Sequence, residues 1–389
     1  MAESRTSKNN GFFSKINKPI FFITVVLIIF GTLSVVSASA NESVSRYHYS
    51  MFNFFFRHII MIGGGVAIGS VAMLFPTKLY KYITKGLWLV ITCLVVGLFI
   101  YGSAKRGATN WIPITKHFSI QPSEFAKPIL ILAIAVFFES ASLRFKKGTM
   151  DPWKFTLKWV VLGALIPVVV VLSGDIGTAS IILFITGSLY LIGPLDSKDK
   201  RNHILILMAT AIVLLPILGA ARGYILTKEQ KERLTEFFNP CSKYENSGYQ
   251  ICNCYIAMND GGLTGVGISK SKQKYSYIPE AYTDSIFAII VEEDGLIIGL
   301  ALLILYFILI LNILKVAKQS KTLRGRYICF GVACYLFAHV AFNIGGLLGL
   351  LPYTGVPLPL ISYGGSFTIS FIAALGVVQR INIENRQNS

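Results

Sequence analysis

Between Ser285 and Asn312 the chain reads SIFAIIVEEDGLIIGLALLILYFILILN. From Leu296 to Leu311 there is no charge, and an apolar run of this length is the signature of a helix that crosses a bilayer. Glu292, Glu293 and Asp294 break the pattern. Three carboxylates facing lipid would cost about 2.5–3.5 kcal/mol each. Their sum of roughly 8–10 kcal/mol rivals the stability of a whole fold. They must therefore face a polar cavity, pair with a cation, or sit at a helix break beside Gly295.

The rest of the 389 residues follows the same logic, with 53% hydrophobic and 14% charged residues. A soluble chain carries about 25% charged residues, so this one lacks the polar surface to coat a globule in water. Its mean hydropathy of +0.61 also excludes a disordered chain, which needs low hydrophobicity. Ten apolar runs are read as spans, at about 20–38, 58–75, 86–102, 123–139, 159–173, 177–193, 203–220, 285–312, 327–351 and 365–380. Ser37-Ala-Ser-Ala40 resembles a cleavage site, but the first run is too long and too poorly flanked for a removed signal peptide.

The expected architecture is an all-α integral membrane protein of ten transmembrane helices. A single polytopic domain covers 20–380, with tails at 1–19 and 381–389. A large extracytoplasmic loop, 221–284, joins the seventh and eighth spans, and a re-entrant-like loop joins the ninth and tenth. The formal charge of +17 would suggest nucleic acid in a soluble protein. Here, with both termini placed in the cytoplasm, 22 Lys and Arg fall on the inside and 13 outside. Eight of the outside ones lie in the long 221–284 loop, and long loops cross largely regardless of charge. Both termini are therefore expected inside, with no nucleic-acid partner. Cys241, Cys252 and Cys254 lie in the outer loop, so at most one disulfide forms there. The Cys252-x-Cys254 pair without a nearby His is a poor metal site. Ile251, Tyr255 and Met258 fall at helical spacing and suggest a short interfacial helix.

Polar groups at membrane depth mark function, and four segments carry them. The first is Gln121-Pro-Ser-Glu-Phe-Ala-Lys127. Pro122 suits a first helical position, and Glu124 complements the helix dipole in the first turn. Lys127 sits near the positive end of that helix, either snorkelling outward or kept for an anionic ligand. The second is Ser173-Gly-Asp-Ile-Gly-Thr-Ala179, where Asp175 is either a helix N-cap or an acid able to meet a substrate. The third is Ile278-Pro-Glu-Ala-Tyr-Thr-Asp284, in which a helix would place Glu280 and Asp284 on one face. The fourth, 351–366 (LPYTGVPLPLISYGGS), holds three prolines and three glycines and no charge. Such a segment is tolerated at depth only when buried in protein or lining a cavity. Its Tyr363-Gly-Gly-Ser366 end leads into the last span, whose first amides suit an anion.

In this order these segments resemble the SEDS family of polytopic membrane proteins (shape, elongation, division and sporulation), most closely its cell-division member. Supporting residues are Gly107-Ala, Trp111-Ile, Arg233-Leu, Phe238-Asn-Pro240, Ser247-Gly-Tyr-Gln250, Gly261-Gly-Leu, Ser271-Lys-Gln-Lys274 and Gly349-Leu-Leu-Pro352. The resemblance covers roughly 20–380. It implies a peptidoglycan glycosyltransferase that polymerises lipid II on the outer face of the bacterial plasma membrane, at the division septum. It also implies a class B penicillin-binding protein transpeptidase and other divisome proteins as partners. The family's essential acid falls on Asp284, the catalytic candidate, and its lysine on Lys127. Substrate-binding candidates are Lys127, Glu124, Glu280, Asp175, Lys274, Ser362 and Ser366. The chain departs from the family at Asn110 (usually Arg), Gly174 (usually Pro), Tyr282 (usually His), His339 (usually Gln) and Asp294 (usually apolar).

The chemistry expected is a single, inverting displacement at the donor's anomeric carbon, with lipid pyrophosphate leaving. No cofactor or metal-ligand cluster is evident, though a pyrophosphate substrate could bring a divalent cation. Rival readings are a lipid flippase or transporter, whose broken helices and buried acids look alike, an elongation-type polymerase, and a catalytically silent scaffold.

Overall fold

A backbone in hydrocarbon must satisfy its hydrogen bonds internally, and long apolar segments do so as helices. The computed structural model describes residues 12–45, 48, 50–105, 108–115, 118–222, 237, 240–243, 248–275 and 278–387. Each of the ten apolar runs falls on a helix. These are α1 (Lys18–Ser45), α2 (Asn53–Leu74), α3 (Tyr80–Tyr101), α4 (Pro122–Lys146), α5 (Pro152–Leu172), α6 (Ile176–Ile192) and α7 (Ser197–Arg222). After the short α8 (Tyr249–Gly261) come α9 (Ile286–Gln319), α10 (Leu323–Leu347) and α11 (Gly365–Gln387). Among the described residues, eight of these helices are long and apolar enough to cross a membrane. The 17-residue α6 is shorter, and α7 opens on the charged run Lys198-Asp-Lys-Arg201.

The helices are apolar on their outer faces as well as inside. Phe22, Ile60, Val161 and Phe307 are each at least 60% exposed. In water such surfaces would be an aggregation liability, whereas in lipid they are the solvated face. At the centre α11 runs along α2, and α10 packs against α4, α6 and α9. The main apolar core joins α1, α4 and α9 to α11, and a smaller one of Ile91, Leu98, Leu130, Ile166 and Ile182 joins α3 to α6.

Two local features depart from the expected pattern. The segment between α3 and α4 is a small antiparallel sheet of β1 (Ser103–Lys105), β2 (Ala108–Thr115) and β3 (Phe118–Ile120), in the order β1-β2-β3. No strand was expected there, because only β2 is long enough to show a pattern. The second concerns Glu280 and Asp284, which a helix would have put on one face. α9 begins only at Ile286, and the residues before it form turns. Glu280 adopts a left-handed backbone (φ 48°), and Thr283 closes a turn onto its carbonyl with its N–H (2.9 Å) and hydroxyl (2.8 Å).

The expected short helix in 221–284 is α8, with Ile251 buried and the helix packed on α9. Cys241 and Cys252 form a disulfide that ties the Pro240–Lys243 turn to it, leaving Cys254 free and buried.

Candidate active site

The 348–364 segment between α10 and α11 organises the site. It is non-helical yet buried at Val356, Leu358, Leu360 and Ile361, so its polar backbone needs partners from its surroundings. They come from α10, from α9 and the turn before it, and from the segment itself. Asn343 on α10 donates to Val356 O (2.7 Å), and Tyr306 on α9 donates to Pro359 O. His339 Nδ1 lies 3.3 Å from Pro357 O. Leu358 N donates to Ser362 Oγ (2.7 Å), and Tyr363 N donates to Tyr282 O (2.9 Å). The segment is thus irregular backbone held inside protein, as its prolines and glycines require.

Asp284 stands where this segment meets the start of α9. It is 2% exposed, and Thr283 Oγ1 donates to its Oδ1 (2.9 Å). Its Oδ2 lies only 3.1 Å from where a Cβ on Gly355 would sit, and Gly355 has φ 69°, so a glycine is needed for both the turn and the approach. Asn343 also donates to the Asp284 carbonyl (2.7 Å), so one amide fixes the acid's backbone and the segment opposite it. Asn343 was not among the candidates read from the sequence, although an amide in the middle of an apolar span was an available signal. On the other side, Gln250 of α8 donates to Ser285 Oγ (3.1 Å) and Tyr353 Oη (3.2 Å). The Cys254 thiol is pushed up to about 12, mainly by burial, with the nearby Asp284 charge adding to the shift.

Behind the segment lies a buried polar cluster. Lys127 is 1% exposed, so it does not snorkel to the surface. Its Nζ donates to Glu124 Oε1 (2.7 Å), lies 3.0 Å from His339 Nε2, and sits 5.7 Å from the centre of the Tyr335 ring. Glu124, expected to complement the helix dipole, is the lysine's ion-pair partner at i,i+3. Ser366 Oγ accepts from Gln121 N (3.0 Å), and Ser370 Oγ donates to Glu124 O (2.7 Å), so α4 and α11 start locked together. The hydroxyls of both Ser362 and Ser366 are therefore engaged with backbone.

Asp175 takes the helix N-cap reading and is also held by two side-chain amides. Its Oδ1 caps α6 by accepting from Thr178 N (2.9 Å), while Oδ2 accepts from Asn110 (2.7 Å) and Gln121 (3.2 Å). Asn110, where an arginine is usual in the family, is thus tied to this acid. Gly177 of the same turn packs on Thr354, which joins Asp175 to the organising segment. Tyr282, where a histidine is usual, packs on Phe54 (4.5 Å between ring centres) and Tyr363 (5.5 Å).

Two candidates lie elsewhere. Lys274 Nζ is bound by Glu293 (2.5 Å) and Ser37 (3.0 Å), on a separate buried cluster at the α9 break. There Glu292 accepts from Ser271 Oγ (2.5 Å) and Lys272 N (2.7 Å). Gly295 takes a non-helical backbone (φ 89°) one residue after Asp294. The N–H of Glu280 is held by Glu42 Oε2 (3.1 Å). Gly107, Arg233, Leu234, Phe238, Asn239 and Ser247 lie outside the described residues.

The arrangement gives one buried carboxylate on a tightly held turn, a buried ammonium two residues of backbone behind it through His339 and Pro357, and the first turn of a long helix alongside. Comparison with known proteins sets this in context. The probable peptidoglycan glycosyltransferase FtsW of Bacillus subtilis (strain 168) is 31% identical over 369 residues, covering 94% of this chain and 90% of that protein. The protein of the same name from Coxiella burnetii is 34% identical over 370 residues, covering 94% and 95%. The stage V sporulation protein E of B. subtilis is 29% identical over 380 residues. A chain of a peptidoglycan synthase complex, described for its structural coordination of polymerization and crosslinking, matches with a TM-score of 0.74 at 22% identity, covering 96% of this chain and 99% of that one. The rod shape determining protein RodA of Thermus thermophilus matches with a TM-score of 0.66 at 20% identity, covering 94% and 96%. At these identities the two structures attest the fold. The family model described as cell cycle protein (FtsW, RodA and SpoVE) matches residues 18–387, and this chain belongs to that family, the SEDS family its motifs resemble.

Proposed function

We propose that the chain is a peptidoglycan glycosyltransferase that polymerises lipid II into glycan strands during cell division. The names of its relatives and the fold support this, and one observation carries it. Asp284 is a buried carboxylate held by Thr283 on its Oδ1 and by Asn343 on its backbone carbonyl, with its Oδ2 in the room that Gly355 leaves by lacking a Cβ. A general base needs such placement at the proton it removes.

In the proposed reaction, Asp284 accepts the proton of the acceptor sugar hydroxyl. The hydroxyl oxygen bonds to the anomeric carbon of the donor, and the bond from that carbon to the lipid pyrophosphate breaks with its electrons. One displacement inverts the α-linked donor to a β-linked product, without a covalent glycosyl-enzyme. The first-turn amides of α11 and the potential of the Lys127 ammonium favour the departing pyrophosphate. Glu124, Asp175, Ser362 and Ser366 support that region, while Glu280 and Lys274 brace the turn before Asp284 and the α9 break. A divalent cation arriving with the pyrophosphate is compatible with the scheme.

In this reading ten helices cross the plasma membrane, both termini are cytoplasmic, and Asp284 lies toward the outer face at the septum. Partners are a class B penicillin-binding protein and other divisome proteins. An elongation role fits the same chemistry. A flippase would instead translocate lipid II without joining it. Vesicles carrying the chain with its cognate transpeptidase and fluorescent lipid II separate the two. Polymer without translocation supports the proposal; translocation without polymer contradicts it.

A further inference from the structure

His339 lies in the middle of α10, fully buried, and its two ring nitrogens face two different elements. Nε2 is 3.0 Å from Lys127 Nζ on α4, and Nδ1 is 3.3 Å from Pro357 O in the 348–364 segment. An ammonium has only protons to offer and a carbonyl only lone pairs. Nε2 must therefore present its lone pair while Nδ1 carries the hydrogen, which makes the ring the neutral Nδ1–H tautomer. Its plane is fixed as well: Phe367 of α11 stacks on it (4.6 Å, 22°), and Tyr335 meets it edge-on (5.0 Å). The groups facing it are thus Lys127 and Glu124 from α4, Tyr335 from its own helix, Phe367 from α11 and the Pro357 carbonyl.

Pro357 is two residues from Gly355, where an added Cβ would lie 3.1 Å from Asp284 Oδ2. Without the imidazole, nothing in the described hydrogen bonds of Lys127 ties it to that segment: its other partner, Glu124, is on α4 itself. We propose that His339 is a positioning residue for glycosyl transfer, holding the Lys127 ammonium at a fixed place relative to the backbone behind Asp284. The inference rests on Asp284 as the base of the reaction and adds a residue that sets the distance between base and cation. A glutamine offers an acceptor and donor pair from its amide. Leucine has comparable bulk but offers neither, and it leaves one Lys127 N–H without an acceptor.

The test uses the full chain in complex with its transpeptidase, measuring steady-state polymerisation of labelled lipid II. His339→Leu should lower kcat about 10–100-fold, the scale of a small misplacement of a catalytic group, with KM changed less than about twofold. His339→Gln should keep most of the rate. If His339→Leu yields no folded complex, His339→Asn replaces it, its amide being too short to reach both partners. A loss confined to KM, or a glutamine no better than leucine or asparagine, overturns the proposal. An independent readout is ¹⁵N NMR of histidine-labelled complex, with His339→Gln assigning the signal. Nδ1 protonated and Nε2 bare is expected; the opposite tautomer or an imidazolium overturns it. If the unsubstituted complex makes no polymer, the functional reading fails, and the NMR result still decides the geometry of His339.

Discussion

Lys127 shows how a single residue's surroundings decide between readings that sequence leaves open. A lysine near a helix start in an apolar run can snorkel or stay inside, and here it is 1% exposed with Glu124 at 2.7 Å. The i,i+3 spacing permits the pair, since such residues share a helix face, but Glu124 was expected to complement the helix dipole instead. His339 was not legible, because it is 212 positions away and nothing local announces the contact. A buried ion pair that loses one member leaves an unpaired charge, at a cost of about 3–5 kcal/mol. Glu124→Gln and Lys127→Met should each therefore lower the melting temperature in detergent sharply. The double substitution removes both charges and should recover part of the loss. A double variant as unstable as the two losses added would contradict a pair that acts as a unit.

At the scale of elements, α9 carries the clearest test. Its acids were expected to face a polar cavity, pair with a cation or sit at a helix break; Glu293 pairs with Lys274 and the helix breaks at Gly295, while Glu292 is satisfied by hydrogen bonds from Ser271 and Lys272 N. That requirement followed from energy alone. Which residues would meet it did not, because the 271–274 motif approaches only after the chain folds back. Gly295 has φ 89°, and a Cβ there would lie 2.4 Å from Leu263 O. Gly295→Ala should therefore cost more than the roughly 1–3 kcal/mol of backbone strain alone, seen as lower folded yield and melting temperature. Wild-type stability in that variant would mean the break is not needed. Glu280 and Asp284 stand four apart, a spacing that would bring them to one face only if the turns before α9 were helical. The left-handed Glu280 and the Thr283 closure win over that spacing.

For the whole molecule, the apolar runs and their length settled the helical membrane fold, and the proline- and glycine-rich segment pointed to the site's organiser. The pairing of distant elements was not legible: Asn343 joining Asp284 to Val356, or Gln121 joining Ser366. Each contact spans elements whose order in the membrane is fixed by packing rather than by local pattern. The disulfide is a further case, since three cysteines permitted one bridge without naming it. With Cys241 and Cys252 joined, reduction should destabilise the α8 region by about 2–4 kcal/mol. Hydrogen exchange across 248–261 would rise on reduction, while Cys254, its thiol pushed up to about 12, should resist alkylation at neutral pH in the folded protein. Rapid alkylation of Cys254 without unfolding would contradict its burial.

The central claim is that Asp284 is the base of a lipid II polymerase. Its most direct test incubates the purified chain and its cognate transpeptidase with labelled lipid II, beside the Asp284→Asn complex, and resolves the products on a denaturing gel. The account predicts a glycan ladder that Asp284→Asn loses, a fall of at least about 10²–10⁴-fold, while the variant melts like the parent and still binds its transpeptidase. An undiminished ladder from Asp284→Asn would contradict it.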